Sequence, residues 1–479
     1  MSRSAIALNR FGLGARLEDR PPDDPEAWLR VQFDRYEVRP APIAAAPGRD
    51  AVVDNLAGSI EAMRNVGRNS ENTEGMAASE AGMTGRAIRR TVRRAARDYY
   101  AEMVAARTNA ALITPTPFLE RLVHFWSNHF AVSANDLMVV GLAGLLEFDV
   151  VRPHLLGRFE DLLLAAERHP AMLFYLDQVQ SMGPGSMAAT RATRRRPDGP
   201  RRGLNENLAR EILELHTLGA DGGYSQADVT EFARALTGWS AHGIIRQHRI
   251  ARFLDADGEP GSFAFASALH EPGARQVLGR RYEEGGEEQG RAILADLARH
   301  PSTARHLATK LARHFAGDEP PRTLVDRLDR AYQASDGDLA AVYRALIESP
   351  EAWVEQPVKF RSPSDWLLAA FRATGTRELE PAVAVATPTQ LGQPVWRPGS
   401  PAGFDDLSAR WAGPDALVRR VELAGQIARQ AGDRIDPRAL APRLFPGQLS
   451  ESTARSIAGS ESESQGLALL LVSPEFQRR

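Results

Sequence analysis

Asn205-Glu206-Asn207-Leu208-Ala209-Arg210-Glu211-Ile212-Leu213-Glu214-Leu215-His216-Thr217-Leu218-Gly219 is the segment on which the fold class turns. Placed at about 100° per residue, Leu208, Ile212 and Leu215 share one arc, while Glu206, Arg210 and Glu214 lie away from it. This is a helix with one face against a core. His216 falls within the apolar arc, Asn205 near its centre and Glu211 on its edge. Phe118 to Phe130 repeats the pattern. Phe118, Leu122, Phe125, Trp126 and Phe130 form the arc, Glu120, His124, Ser127 and Asn128 lie opposite, and His129 lands inside the arc.

Outward from these two segments the periodicity stays helical. The expected class is mainly α: a large multi-helix globular array, with one small β-hairpin near 248–268 where two short apolar runs flank a Gly- and Asp-rich turn. Asp255, Asp257 and Gly258 invite a calcium loop, but its twelfth position is Ala266, which cannot ligate. Ser225, Asp228 and Gly238 are start and stop signals for one helix, and Asp336-Gly337-Asp338 is a turn that caps another. Residues 64–85 read as a mobile loop, 181–203 as a flexible Pro/Gly/Arg-rich linker or lid, and 376–410 as an ordered Pro/Gly-rich coil. Ala345–Glu351 and Leu470–Glu475 echo each other, each an apolar helix stopped before a proline.

Composition excludes whole classes of chemistry. The chain has 479 residues and no cysteine, so disulfides, thiol catalysis, iron–sulfur clusters and cysteine-ligated zinc are ruled out. A metal would need His, Asp or Glu. With 59 basic against 61 acidic residues the net charge is −2, and no global field draws in nucleic acid. Lys310 and Lys359 are the only lysines among those 59, so the other 57 are arginine. In such a chain the arginines at 86, 89, 90, 93, 94 and 97, which share a helix face, read as solvated surface. The longest apolar run, 137–146, is about ten residues where a spanning helix needs about twenty, so no membrane span is expected. Residues 1–10 have no apolar signal core, which points to the cytoplasm.

No Gly-x-Ser-x-Gly elbow, phosphate-binding loop, His-Glu-x-x-His or dinucleotide fingerprint is present. His124 and His129 are five apart, off the spacing that two helical metal ligands want, and His300, His306 and His314 look like surface or interface positions. What remains is the pair of buried histidines and the carboxylate beside one of them. A buried imidazole must find a partner, because leaving it unsatisfied costs about 1–3 kcal/mol. A carboxylate at an apolar rim drifts towards a raised pKa, which suits a general acid. Two readings are open. His129 and Glu211 are catalytic residues of a polar pocket, or they belong to a hydrogen-bonded network that locks two helices together.

The same stretches carry a resemblance. Phe125–Phe130, the Asn205–Gly219 block, Gly223-Tyr224 with Asp228–Trp239, Tyr175-Leu176-Asp177 and Leu391–Pro394 resemble the bacterial family known as domain of unknown function 1800, over about Leu8 to Glu475. The resemblance implies one helical unit for residues 1–479. Trp126, Asn128, His129, Asn205, Glu206, Asn207, Arg210, Glu211 and Glu214 fall in its strongest segments, and with Asp177 and Trp239 they are the candidate set if a ligand site exists. The resemblance implies no cofactor and no reaction. The family usually shows a His-Asp pair and then a Lys near residue 270; here the residues are His270-Glu271 and Arg275. Many members look exported. Many are encoded beside a sulfatase-like hydrolase family, which implies a protein partner of that kind by association. With its polar block read as a buried Asn/Glu/His/Arg network, the chain is expected to be an adaptor or scaffold. The alternative is a hydrolase or polar-ligand binder around His129 and Glu211.

Overall fold

The computed structural model describes residues 2–71, 77–195, 203–244, 254, 258–357 and 359–479. Helices dominate. Among the described residues, strands are confined to two antiparallel pairs, Trp239–Ala241 (β1) with Phe263–Phe265 (β2), and Arg275–Val277 (β3) with Arg280–Tyr282 (β4). The class is therefore mainly α, with two small antiparallel pairs. Phe263–Phe265, the second arm of the hairpin expected near 248–268, pairs onto β1, with Trp239 opposite Phe265. Residues 245–253 and 255–257, which include the first arm of the expected hairpin, lie outside the described residues. The helix Gln226–Leu236 begins with the capping box of Ser225 and Asp228, and Gly238 at φ +90° turns the chain out of it into β1.

The two longest helices, Arg49–Glu71 and Ala77–Ile113, pack against each other. Most of 64–85 is thus helical rather than loop, and residues 72–76 lie outside the described residues. Along the second helix Val92, Ala96, Tyr100 and Met103 are buried while Arg90, Arg93, Arg94 and Arg97 face solvent. That solvated arginine face follows from the helical period. Within 181–203, Met187–Arg195 is helical and residues 196–202 lie outside the described residues. The ends of this excursion meet, since Met182 N–H donates to the Gly203 carbonyl (3.3 Å) and Asn205 N–H to Ser181 Oγ (3.1 Å). Within 376–410 a helix, Pro381–Gln390, interrupts the coil.

Two apolar cores organise the array. The larger gathers Phe11, Phe118, Trp126, Phe159, Phe315 and Tyr343. The smaller collects Trp366, Leu423, Leu467 and Phe476 from the C-terminal helices together with Leu8 and Leu13. The helix Pro117–His129 threads the larger core, and it is buried nearly all round. Its polar side was expected to face water. Instead Glu120 is buried in an ion pair with the buried Arg152.

Arginine supplies much of the internal stitching. Arg10, Arg121, Arg152, Arg361, Arg372, Arg420 and Arg479 are fully buried. Arg121 donates twice to the Gly12 carbonyl (2.9 and 2.7 Å) and pairs with Asp365 (2.8 Å), which Arg479 also reaches (3.0 Å). Arg372 reaches the carbonyls of Gly14 and Ala111 (2.8 and 2.9 Å). A planar guanidinium with five donors can tie several carbonyl ends at once. These residues join the first fifteen positions to the C-terminal helices.

Candidate functional site

The block at 205–219 is not one regular helix. It is α-helical over Asn207–Glu211 and continues as a π turn, Ile212–His216, before Gly219 at φ +86°. Such turns widen a helix locally and rotate the residues after them. Here the turn delivers the His216 side chain into the core. Its Nδ1 lies 2.7 Å from Glu167 Oε1, and both side chains are fully buried. His216 Nε2 and the second Glu167 oxygen have no hydrogen-bond partner.

His129, the last residue of its helix, arrives from the opposite side. Its Nε2 stands 3.1 Å from the His216 carbonyl oxygen, and its Nδ1 2.9 Å from Lys310 Nζ. A carbonyl can only accept, so Nε2 carries the proton and Nδ1 presents its lone pair to the lysine. Burial first, and then the neighbouring Lys310, hold the His129 pKa well below the usual imidazole value. The ring is neutral with both nitrogens engaged.

Lys310 and His306 both come from the helix Pro301–Ala316. His306 Nε2–H donates to the Leu215 carbonyl (3.2 Å), and burial lowers its pKa to about 4. A Cβ on Gly219 would lie 2.9 Å from His306 Nδ1, so glycine lets this ring close on the 205–219 block. His306, read as a surface or interface position, thus packs half-buried against the 205–219 block. Burial lowers the Lys310 pKa to about 8, against the opposing pull of Asp406. Sequence reasoning missed Glu167 and Lys310. Glu167 carries no sequence signal, whereas the rarity of lysine among 57 arginines was a signal for Lys310.

The remaining predicted residues are spread over several places. Asn128 lies on the far side of the 117–129 helix from the core, where its carboxamide holds the Phe404 backbone. Trp126 is buried and donates to the Tyr343 hydroxyl (2.6 Å). Asn205 caps a bend, receiving Asn207 N–H at 2.8 Å and donating towards the carbonyls of Leu176 and Asp177. Asp177 is exposed at φ +56° and accepts from Gln180 (3.1 Å). Glu206 accepts from Thr230 (2.7 Å), Gln226 (2.7 Å) and Arg210 (3.2 Å), and these bonds, Thr230's foremost, lower its pKa. Glu214 accepts from Tyr224 at 3.3 Å. Trp239 is core, edge-on to Phe263 at 5.2 Å. Glu211 stands half-buried near His216 and Glu214, its pKa raised by burial, with no hydrogen bond or ion pair among the described residues. His270 Nδ1 contacts the Thr237 carbonyl (2.9 Å), and Glu271 accepts the Gly185 N–H at 2.6 Å.

An open cleft of about 530 Å³ lies away from this cluster, beside Arg49, His154, Asp161, Arg168, His169 and Phe263. The Arg168 guanidinium lies over the Phe263 ring at 3.9 Å and pairs with Glu287 (2.6 Å). Among the described residues no three His, Asp or Glu side chains are placed to hold one metal ion, and no helix is long and apolar enough to cross a membrane.

No curated protein and no solved structure matches this chain. The family model described as protein of unknown function (DUF1800) matches residues 6–478, close to the whole length, and the chain belongs to that family.

Proposed function

We propose that the chain is a helical scaffold for a protein partner, and that the polar block of its sequence is an internal clasp. One observation carries this reading: most of the polar side chains singled out, Glu211 and Asn207 excepted, are spent on the protein's own backbone and neighbours. Asn128 holds Phe404, Asn205 holds the 176–177 and 207 backbone, Glu206 takes three donors, and His129 has both nitrogens engaged. A network of this kind fixes one packing of helices. Thermal unfolding of Asn128→Ala, Asn205→Ala and Glu206→Ala tests it. Each is expected to lower Tm by several degrees, and three unchanged melting temperatures would remove the clasp.

The open cleft beside Arg168 and Phe263 is the docking surface we assign to the partner, because its wall carries a half-buried guanidinium stacked on an aromatic ring. A sulfatase-like hydrolase is the partner that family resemblance suggests. Titrating such a hydrolase against wild type and Arg168→Glu checks both points. Equal binding by the two moves the docking surface elsewhere, and no binding by either removes this partner.

A polar-ligand or hydrolytic site at Glu211 is the second reading. It is favoured by the absence of any partner for that half-buried carboxylate among the described residues.

A further inference from the structure

Lys310 and Lys359 occupy very different places for the only two lysines of the chain. Lys359 is almost fully buried, with its ammonium 3.1 Å from Asp318, 3.5 Å from Asp406 and 3.1 Å from the Arg313 carbonyl. It is a compact charge in a saturated socket, which explains why a guanidinium does not replace it. Lys310 has no such socket. Among the described residues no carboxylate lies within ion-pair distance of its nitrogen. Its one hydrogen bond goes to a neutral imidazole, His129 Nδ1, at 2.9 Å. Its side chain is half-buried, and its nitrogen makes no second hydrogen bond among the described residues.

The charged and titratable groups around it explain the rest. Burial foremost, and then Arg313, disfavour its positive charge, and Asp406 is the carboxylate that opposes them. Asp406 is itself held by His314 (3.2 Å) and Lys359. A hydrogen bond alone could be donated by arginine, which this chain uses almost everywhere else. A primary amine offers what arginine cannot, a nitrogen lone pair that can be freed by losing one proton.

We propose that Lys310 is a nucleophilic amine that condenses with a small aldehyde or ketone to form an imine. The deprotonated nitrogen attacks the carbonyl carbon, a C–N bond forms and the carbonyl π pair moves to oxygen. The carbinolamine then loses water, its oxygen leaving with the two protons the amine nitrogen carried. Nothing is oxidised or reduced. His129 is a positioning residue, since its Nδ1 lone pair orients the amine through their hydrogen bond. With a pKa of about 8 against 10.5 for free lysine, the free-amine fraction at pH 7 is greater by roughly a few hundredfold.

The inference does not rest on the scaffold reading, and its test is separate. The full-length protein is incubated at pH 7 with acetaldehyde, glyceraldehyde or pyruvate, each in the presence of N-acetyl-lysine. Adducts are trapped with sodium borohydride and located by peptide mass spectrometry. We expect at least one probe to label Lys310 well beyond both N-acetyl-lysine and Lys359. We also expect Lys310→Arg, checked for native circular dichroism, to lose that label. Labelling of Lys310 no greater than that of N-acetyl-lysine with all three probes would overturn the proposal. That comparison needs only the wild-type protein, so a variant that fails to fold does not obscure it.

Discussion

Asn128 and Phe404 bind each other twice across 276 residues of sequence: Asn128 Nδ2 donates to the Phe404 carbonyl at 2.9 Å, and Phe404 N–H donates to Asn128 Oδ1 at 2.8 Å. The pair pins the 391–411 segment, and with it Asp406, against the 117–129 helix. Gly403 makes the approach possible. It sits at φ +79°, and a Cβ there would fall 2.4 Å from the Asn128 carbonyl oxygen. Asn128→Ala is expected to cost about 1–3 kcal/mol through the two unmet backbone groups. Gly403→Ala is expected to cost at least as much, from strained φ and the clash together. Urea unfolding of both variants measures this. If Gly403→Ala proves as stable as wild type, the close approach is not a constraint.

The helical class and the two buried histidines were legible because apolar period alone encodes them. His129 and His216 do lie inside the core, as their arcs required. What they touch was not legible. Glu167 and Lys310 come from helices 38 or more residues away in sequence, and no local pattern encodes a contact at that range. The polar side of the 117–129 helix misled for the same reason. Glu120 reads as solvated from its own helix, and only the fold brings Arg152 in to bury beside it. Seven arginines are fully buried, with carbonyl and carboxylate partners drawn from distant segments, and composition alone does not say which of 57 they are. The 205–219 block was legible as a helix but not as a helix with a π turn, because a single i→i+5 step leaves no signature in residue spacing.

The buried pair of Asp365 and Arg121 should behave as a unit. Arg121 is fully buried, Asp365 nearly so, and Arg479 shares the same carboxylate. Removing Asp365 leaves two buried guanidinium groups without their carboxylate, and removing Arg121 leaves Asp365 to Arg479 alone; breaking a buried pair costs about 3–5 kcal/mol. Asp365→Asn and Arg121→Met are therefore each expected to be strongly destabilising, and the double variant clearly less so than their sum. A double-mutant cycle by chemical denaturation reads the coupling. Strict additivity would mean that the two side chains do not interact.

His169 gives a pH dependence of defined sign. Its Nδ1 accepts the Ala171 N–H at 3.2 Å and caps the helix Pro170–Tyr175, and burial lowers its pKa to about 3. In the unfolded chain the same group titrates near 6.5. Between those values the unfolded state binds the extra proton. Stability is therefore full above about pH 6.5 and is lost as pH falls towards 3. His169→Asn keeps an acceptor at the cap without a titration. Unfolding at pH 7 and pH 5 is expected to show a smaller acid penalty in the variant, by about 1–2 kcal/mol. Equal penalties would place the acid sensitivity in His306 or other groups.

Glu211 offers the sharpest choice between a clasp and a ligand site. Burial raises its pKa above the ordinary glutamate value, with Glu214 and Glu167 adding to the effect, while His216 and Arg210 oppose it. A raised carboxylate pKa means that the folded state holds the proton more tightly than the unfolded chain. The ionised form then costs stability as pH rises through that window, and the cost persists at pH 7. Glu211→Gln removes the charge and keeps the shape, so Tm at pH 7 is expected to rise by about 2 °C, with no such gain at pH 4. A side chain that costs stability and meets no partner is the kind of compromise that functional sites show. If Glu211→Gln instead lowers Tm at pH 7, the carboxylate has a stabilising partner and belongs to the clasp. The ligand reading at that position then falls, leaving the Lys310 amine as the reactive group of this region.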